Sequence, residues 1–301
     1  MKLIIDELTT DTRIDVFLAE YMKDYSRSKI QSEIKKGAVS VNFKSVKPSY
    51  ILKEGDIIEF IPIQKVEILP EDIPLNIVWE DENMLVVNKP SGMLTHPTAI
   101  ETSGTLVNAL LYRYGENLSD INGEFRRGII HRLDRNTSGL LMVAKNNKAH
   151  EYLVNAMKNN QMIKKYLAVV KGIVVEDEFT INKPIGRNPK QPHKMGVFEG
   201  GKESISVVKV LERLEDATLV EVRLITGRTH QIRVHMSSIA HPVFNDTLYG
   251  FGKMKIKTEE QVLQSYKLSF PHPFDGELVS LEIPPDDKIT KVLNALRRAL
   301  A

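Results

Sequence analysis

The segment Gly128-Ile-Ile-His131-Arg132-Leu133-Asp134-Arg135-Asn136-Thr137-Ser138-Gly139-Leu140-Leu-Met-Val-Ala144 gathers the side chains best able to do chemistry. One carboxylate, Asp134, lies among His131, Arg132 and Arg135, between two apolar runs. Residue types alone leave two readings open: an Asx-type turn whose Asp bonds its own backbone, or a reactive carboxylate held among arginines. Tyr166 alternates with Ala168 and Val170, which suits a packed core or edge tyrosine as well as a site residue. Arg228–His235 is a long mixed polar run for an element with nothing to bind. Ile232, Met236 and Ile239 fall at i, i+4, i+7, which predicts a helix there, capped by Thr229 and carrying Arg233.

Other chemistries fail on spacing. His230 and His235 are five apart with no acid between them, unlike a zinc-binding helix. No Gly-x4-Gly-Lys-Ser/Thr phosphate loop and no Gly-x-Ser-x-Gly elbow occurs. Gly250-Phe-Gly252 lacks the third glycine of a dinucleotide fingerprint. No second carboxylate lies near Asp134 in sequence, so a glycosidase-type acid pair is not indicated. The chain has no cysteine, which removes thiol catalysis, disulfides and cysteine–zinc sites. No metal and no organic cofactor is expected.

The elements that must position these residues fall into two blocks. In the first, Asp11 or Thr12 is placed to cap a helix with Ile14, Phe17, Leu18 and Tyr21 on one stripe. Ser26 is placed to cap a second, carrying Ile30 and Ile34 and ended by Gly37. Val39, Val41 and Phe43 alternate as a half-buried strand does, and Gly55-Asp56 turns into another strand at Ile57–Ile61. Pro62, Pro70 and Pro74 then mark a boundary between about 62 and 75. The expected domains are 1–70 and 71–301. From Ile77 onward, strand-like runs (84–88, 128–130, 140–144, 166–170, 206–211, 218–225) outnumber helical ones (about 104–114 and 147–159). That predicts an α+β domain around a mixed or antiparallel sheet, preceded by a small α/β module.

The wording of these segments sharpens the reading. Tyr25-Ser26-Arg27-Ser28-Lys29-Ile30 and Gly37-Ala38-Val39-Ser40-Val41-Asn42 resemble the S4 RNA-binding domain over about 12–61. The usual Asn-Gly-Lys of that family reads Asn42-Phe43-Lys44 here, although glycine would suit a tight primed turn better. His131-Arg132-Leu133-Asp134-Arg135-Asn136-Thr137-Ser138-Gly139-Leu140 resembles the catalytic motif of the RluA family of RNA pseudouridine synthases. Lys89-Pro90-Ser91-Gly92-Met93 with His96-Pro97, Lys165–Gly172, and Thr226–His235 resemble further motifs of that family, in the same order. The resemblance implies Asp134 as nucleophile, Tyr166 as the active-site tyrosine, Arg233 as the partner of Asp134 through a forked pair, and Arg132 as the residue that displaces the target base. His131, Arg135, Arg228 and Gln231 join Arg132 as candidate substrate ligands. Arg27, Lys29, Lys35 and Lys36 would form the basic face of the S4-like module.

The implied reaction breaks the bond between C1′ and N1 of a uridine and rejoins the base through C5. Attack at C1′, attack at C6 and elimination all need an ionised carboxylate, the form a neighbouring guanidinium favours. The base must leave its stack, at a cost of a few kcal/mol.

Net charge is only +2, but it is blocked. Residues 23–53 hold eight Lys/Arg against two acids, 54–82 hold nine acids against Lys65, and 126–171 hold ten Lys/Arg against Asp134 and Glu151. Two basic blocks suggest two contacts with a polyanion. The expected partner is structured RNA, foremost large-subunit ribosomal RNA, with transfer RNA as the alternative substrate. A non-catalytic RNA-binding ribosome-assembly protein and a base-releasing hydrolase are the competing functions. No apolar run approaches the roughly 18 residues of a membrane span, and the N-terminus does not read as a secretory signal. A cytoplasmic monomer with no membrane contact is therefore expected.

Overall fold

Ile14 and Leu18 lie one turn apart on helix α1 (Ile14–Tyr21), as do Ile30 and Ile34 on α2 (Arg27–Lys35), and burying all four builds the first of two units. The computed structural model describes residues 1–298 except 7–8, 24, 62–66, 99, 251–255, 257 and 259. The chain divides into Met1–Glu67 and Ile68–Ala301. Pro62, part of the expected boundary, lies outside the described residues.

In the first unit the helices share a core with a four-stranded antiparallel sheet of order β1-β4-β2-β3, made of β1 (Lys2–Ile4), β2 (Val39–Val41), β3 (Lys44–Ser45) and β4 (Ile57–Phe60). Ser26 caps α2 by accepting from the Lys29 N–H. The expected cap of α1 is corrected. Its N-cap is Arg13, with no side-chain bond. Neither Asp11 nor Thr12 is needed, because the Ile14 and Asp15 N–H groups donate to the carbonyls of Tyr50 and Pro48. Phe43 is corrected too. It is not a strand residue but sits with Asn42 in the β2–β3 turn, at φ 63° and 50°, and is 72% exposed. Both turn residues adopt the left-handed conformation of a primed turn, despite the Cβ of Phe43.

The second unit carries a nine-stranded mixed sheet. Its strands are β5 (Ile77–Glu80), β6 (Met84–Lys89), β7 (Ser138–Ala144), β8 (Ile163–Lys171), β9 (Glu178–Asn182), β12 (Ile205–Arg213), β13 (Ala217–Leu224), β14 (Leu263–Pro271) and β15 (Leu278–Glu282). The order is β5-β6-β7-β14-β8-β13-β12-β9, with β15 pairing the far half of β14. All neighbours are antiparallel except β14 and β7. A separate hairpin joins β10 (Ile185–Arg187) to β11 (Met195–Val197). The run 128–130, expected as a strand, contributes only an isolated bridge from Ile129 to Val143. Gly128, at φ 71°, bends the chain there.

Both faces of the sheet are covered. Along β7, Leu141 and Val143 face a core with α3 (Leu106–Tyr114) and α5 (Gln231–Ser238). Leu140, Met142 and Ala144 face the opposite core with α4 (Asn147–Lys158). The last helix, α6 (Asp287–Arg298), packs Ile289, Val292, Leu293 and Leu296 against Leu167 and Val169 of β8. Each such side chain contributes about 1.5–3 kcal/mol when fully buried. Tyr166 and Ala168 therefore point to the face that holds α5, which puts Tyr166 and Arg233 on one side of the sheet. Among the described residues no helix is long and apolar enough to cross a membrane.

Candidate active site

The loop from His131 to Thr137 is fixed by the segment that precedes it in the chain. Lys89, fully buried at the end of β6, donates to the carbonyls of Pro90, Met93 and Arg135 at 2.7, 2.8 and 3.0 Å. Ser91 donates to the Asn136 carbonyl, and Thr95 both accepts from Leu133 N–H and donates to its carbonyl. Burial pushes the Lys89 ammonium down to about 7, yet three carbonyl acceptors call for all three of its N–H donors. Gly139 ends the loop at φ 113°, where a Cβ would lie 2.1 Å from the Ser265 carbonyl oxygen. Only glycine lets β7 and β14 meet that closely.

Asp134 is not an Asx turn. Its backbone carbonyl accepts from Thr137 N–H, and its carboxylate accepts from Arg233 Nη1 at 3.1 Å. The forked pair expected between these two residues is corrected. Arg233 turns its fork on Asp246 instead, with Nε and Nη2 at 2.7 and 2.9 Å, and reaches Asp134 with the remaining nitrogen. Asp246 is fully buried and also accepts from the Leu248 and Tyr249 N–H groups. Burial pushes its carboxyl up, but the guanidinium and those N–H groups prevail and hold it below the usual range. Asp246 takes two of the guanidinium nitrogens with both of its oxygens, while Asp134, from another loop, meets only the third.

Arg233 sits on α5, as expected, but Thr229 is not the cap. The cap is His230, in the left-handed conformation at φ 57°. The Gln231 amide secures the turn, accepting from Arg228 N–H and Thr226 Oγ1 and donating to Ile205 O and Ser206 Oγ. That leaves Gln231, expected among the substrate ligands, with no donor or acceptor to offer. The Tyr249 hydroxyl accepts from Met195 N–H, so its own proton can go to His230 Nδ1 at 2.7 Å. When Nδ1 accepts that proton, the imidazole N–H lies on Nε2, which faces Asp134 Oδ1 at 3.9 Å, beyond direct hydrogen-bond reach.

A cavity of about 260 Å³ opens beside Asp134, lined by Tyr166, Arg132, Arg228, His230, Arg233 and Leu263 among others. Tyr166 is 6% exposed, and burial, with the charge of Asp134, pushes its phenol up to about 12, so the ring is neutral at working pH. Arg132 is exposed at the rim. Arg228 is also exposed, with Nε on the Glu203 carbonyl. His131 reaches the wall, but its Nε2 accepts from Met142 N–H, and burial pushes it down to about 3. It is a neutral ring tied to β7. Arg135 pairs with Glu101 outside the cavity lining.

The first unit places its basic candidates around two buried acids. Arg27, with Arg13 and Gln31, bonds Asp15. Lys29 and Lys36 flank Glu33 at 3.3 and 3.5 Å, while Lys35 is exposed. His230, Tyr249, Asp246 and Lys89 had no role assigned from the sequence. Lys89 stood inside a quoted motif; Asp246 stands outside all of them, flanked by Asn245 and Thr247 in a segment that gave no local signal.

Comparison with known proteins identifies the family. The sequence model described as RNA pseudouridylate synthase matches residues 83–238, and that of the S4 domain matches 12–58. An uncharacterized RNA pseudouridine synthase, YlyB, of Bacillus subtilis (strain 168) is 45% identical over 288 residues, covering 95% of this chain and 94% of that protein. A ribosomal large subunit pseudouridine synthase D of Xanthomonas campestris is 35% identical over 309 residues, covering 98% and 92%. The solved structure of human RNA pseudouridylate synthase domain containing 1 superposes with a TM-score of 0.59 at 29% identity, over 74% of this chain and 95% of that one. A buried arginine on an Asp within a basic cavity, an S4 domain ahead of it, and relatives matched over nearly their whole length place this chain in the RNA pseudouridine synthase family.

Proposed function

We propose that this enzyme isomerises uridines of large-subunit ribosomal RNA to pseudouridine, with Asp134 as the nucleophile. The observation that carries the reading is the Asp134 carboxylate, bonded by Arg233 at 3.1 Å and opening on the cavity that Tyr166 lines. Arg233 orients the carboxylate and, locked by Asp246, needs no reorganisation during reaction. Tyr166 packs against the uracil as a neutral phenol. Arg132, exposed at the rim, fills the gap that the extruded base leaves in the RNA stack. His230 Nε2 offers a second donor toward Asp134.

The ribosomal substrate is supported by relatives named ribosomal large subunit pseudouridine synthase D that match most of this chain. The S4 domain would grip a helical RNA feature through Lys35 and the half-exposed cations around Asp15 and Glu33, reading shape more than sequence. The protein acts in the cytoplasm as a monomer. Mapping pseudouridine across total RNA from cells with and without the protein tests this. Loss of defined large-subunit sites is expected. Loss confined to transfer RNA, or no loss, would overturn the substrate assignment.

A further inference from the structure

Strand β8 carries two adjacent lysines with opposite fates. Lys165 points away from the cavity and pairs with Glu221 at 2.8 Å. Lys164, two residues before Tyr166, shares its face of the sheet and lines the cavity. It is 8% exposed. Among the described residues no carboxylate, carbonyl or hydroxyl accepts from its Nζ. Its sheet neighbours are Leu224 on β13 and Leu268 on β14. Gly227, in the rim loop, covers it: a Cβ there would lie 3.7 Å from Nζ. Burial pushes this ammonium down from its ordinary value, and no counter-charge opposes the effect.

A buried cation without a partner is costly, and proteins seldom keep one. The nearby His131 is neutral and adds no second positive charge beside it. Asp134 is the one carboxylate in the lining and already holds Arg233. Lys164, Arg132 and Arg228 therefore give the cavity lining an excess of positive charge, which suits an anionic ligand. Resting on the reading that this cavity receives an extruded uridine, we propose that Lys164 binds a non-bridging oxygen of the phosphodiester flanking that uridine. It holds the nucleotide so that C1′ stays beside Asp134.

The test combines protein and substrate changes. Single-turnover rates are measured against protein concentration, for wild type, Lys164→Met and Lys164→Arg, on RNA with the phosphate 5′ or 3′ of the target replaced by a neutral methylphosphonate. Lys164→Met is expected to raise the half-saturating concentration about tenfold and to make its salt dependence shallower by about one on a log–log plot. One methylphosphonate position should weaken wild type equally but leave Lys164→Met no worse. Lys164→Arg should restore much of the loss. Thermal unfolding of Lys164→Met should occur no lower than in wild type, because an unpaired buried charge is removed. Additive losses, or an unchanged salt slope, would overturn the assignment. A wild-type protein without turnover would overturn the nucleotide-pocket reading itself, and the role of Lys164 with it.

Discussion

Replacing Asp246 by Asn tests whether Arg233, the proposed partner of the nucleophile, is held from behind. Oδ1 of Asp246 accepts from Arg233 Nη2, Leu248 N and Tyr249 N, while Oδ2 accepts from Nε at 2.7 Å. The amide oxygen of Asn would take the first position, with its three donors. The NH2 would then face the Nε–H, donor against donor. One hydrogen bond between charged groups is lost, worth about 1.5–3 kcal/mol, and the guanidinium must tilt away. Because Nη1 reaches Asp134 by a single bond, the tilt transmits directly to the carboxylate. If the whole loss appears in the transition state, the rate falls about 10- to 150-fold. The assay is single-turnover release of tritium from uridine labelled at C5, since that hydrogen must leave as the base rejoins through C5. Thermal unfolding confirms that the variant is folded. A folded Asp246→Asn protein with a rate within twofold of wild type would refute the reasoning.

Two further substitutions probe how the backbone sets the site and the RNA-binding unit. Gly139→Ala places a Cβ 2.1 Å from the Ser265 carbonyl oxygen at φ 113°; it should destabilise the protein by about 3 kcal/mol or more, and an unchanged melting temperature would show that β7 and β14 can separate freely. Phe43→Gly relieves a left-handed aromatic at φ 63° that buries little of its ring, so the first unit should gain about 1 kcal/mol in denaturant unfolding; a loss would mean that the ring makes contacts worth more than the backbone strain.

The sequence made the chemistry legible more readily than the packing behind it. Residue types alone left Asp134 and Arg233 open to bland readings; both stood out because the wording of their segments resembles motifs of the RluA family. The partner of Arg233 did not, because Asp246 is a lone acid in a connecting segment, and it meets the fork only once α5 is folded. Gln231 read as a substrate ligand because a buried glutamine that saturates itself on its own turn looks no different in sequence. Lys164 read only as one cation of a basic block that suggested contact with a polyanion, since nothing local separates it from Lys165. In the sheet, β14 is buried on both faces at Leu263–Ser265 and Leu268–Phe270 and so lacks alternation. The stripe Ile289, Val292, Leu293, Leu296 of α6 has the helical period, yet no helix was expected there. The primed turn at Asn42-Phe43 survived the loss of glycine because Asn42 is pinned from both sides, its Nδ2 donating to Asp56 and its Oδ1 accepting from Ile57 N–H.

The central claim is that one carboxylate performs the reaction. Asp134→Asn keeps the volume and one acceptor for Arg233 while removing the charge and most of the nucleophilicity. Pseudouridine is quantified in the target RNA after incubation with each protein, alongside RNA affinity. No detectable pseudouridine with affinity near that of wild type is the result expected; turnover close to wild type would contradict the claim.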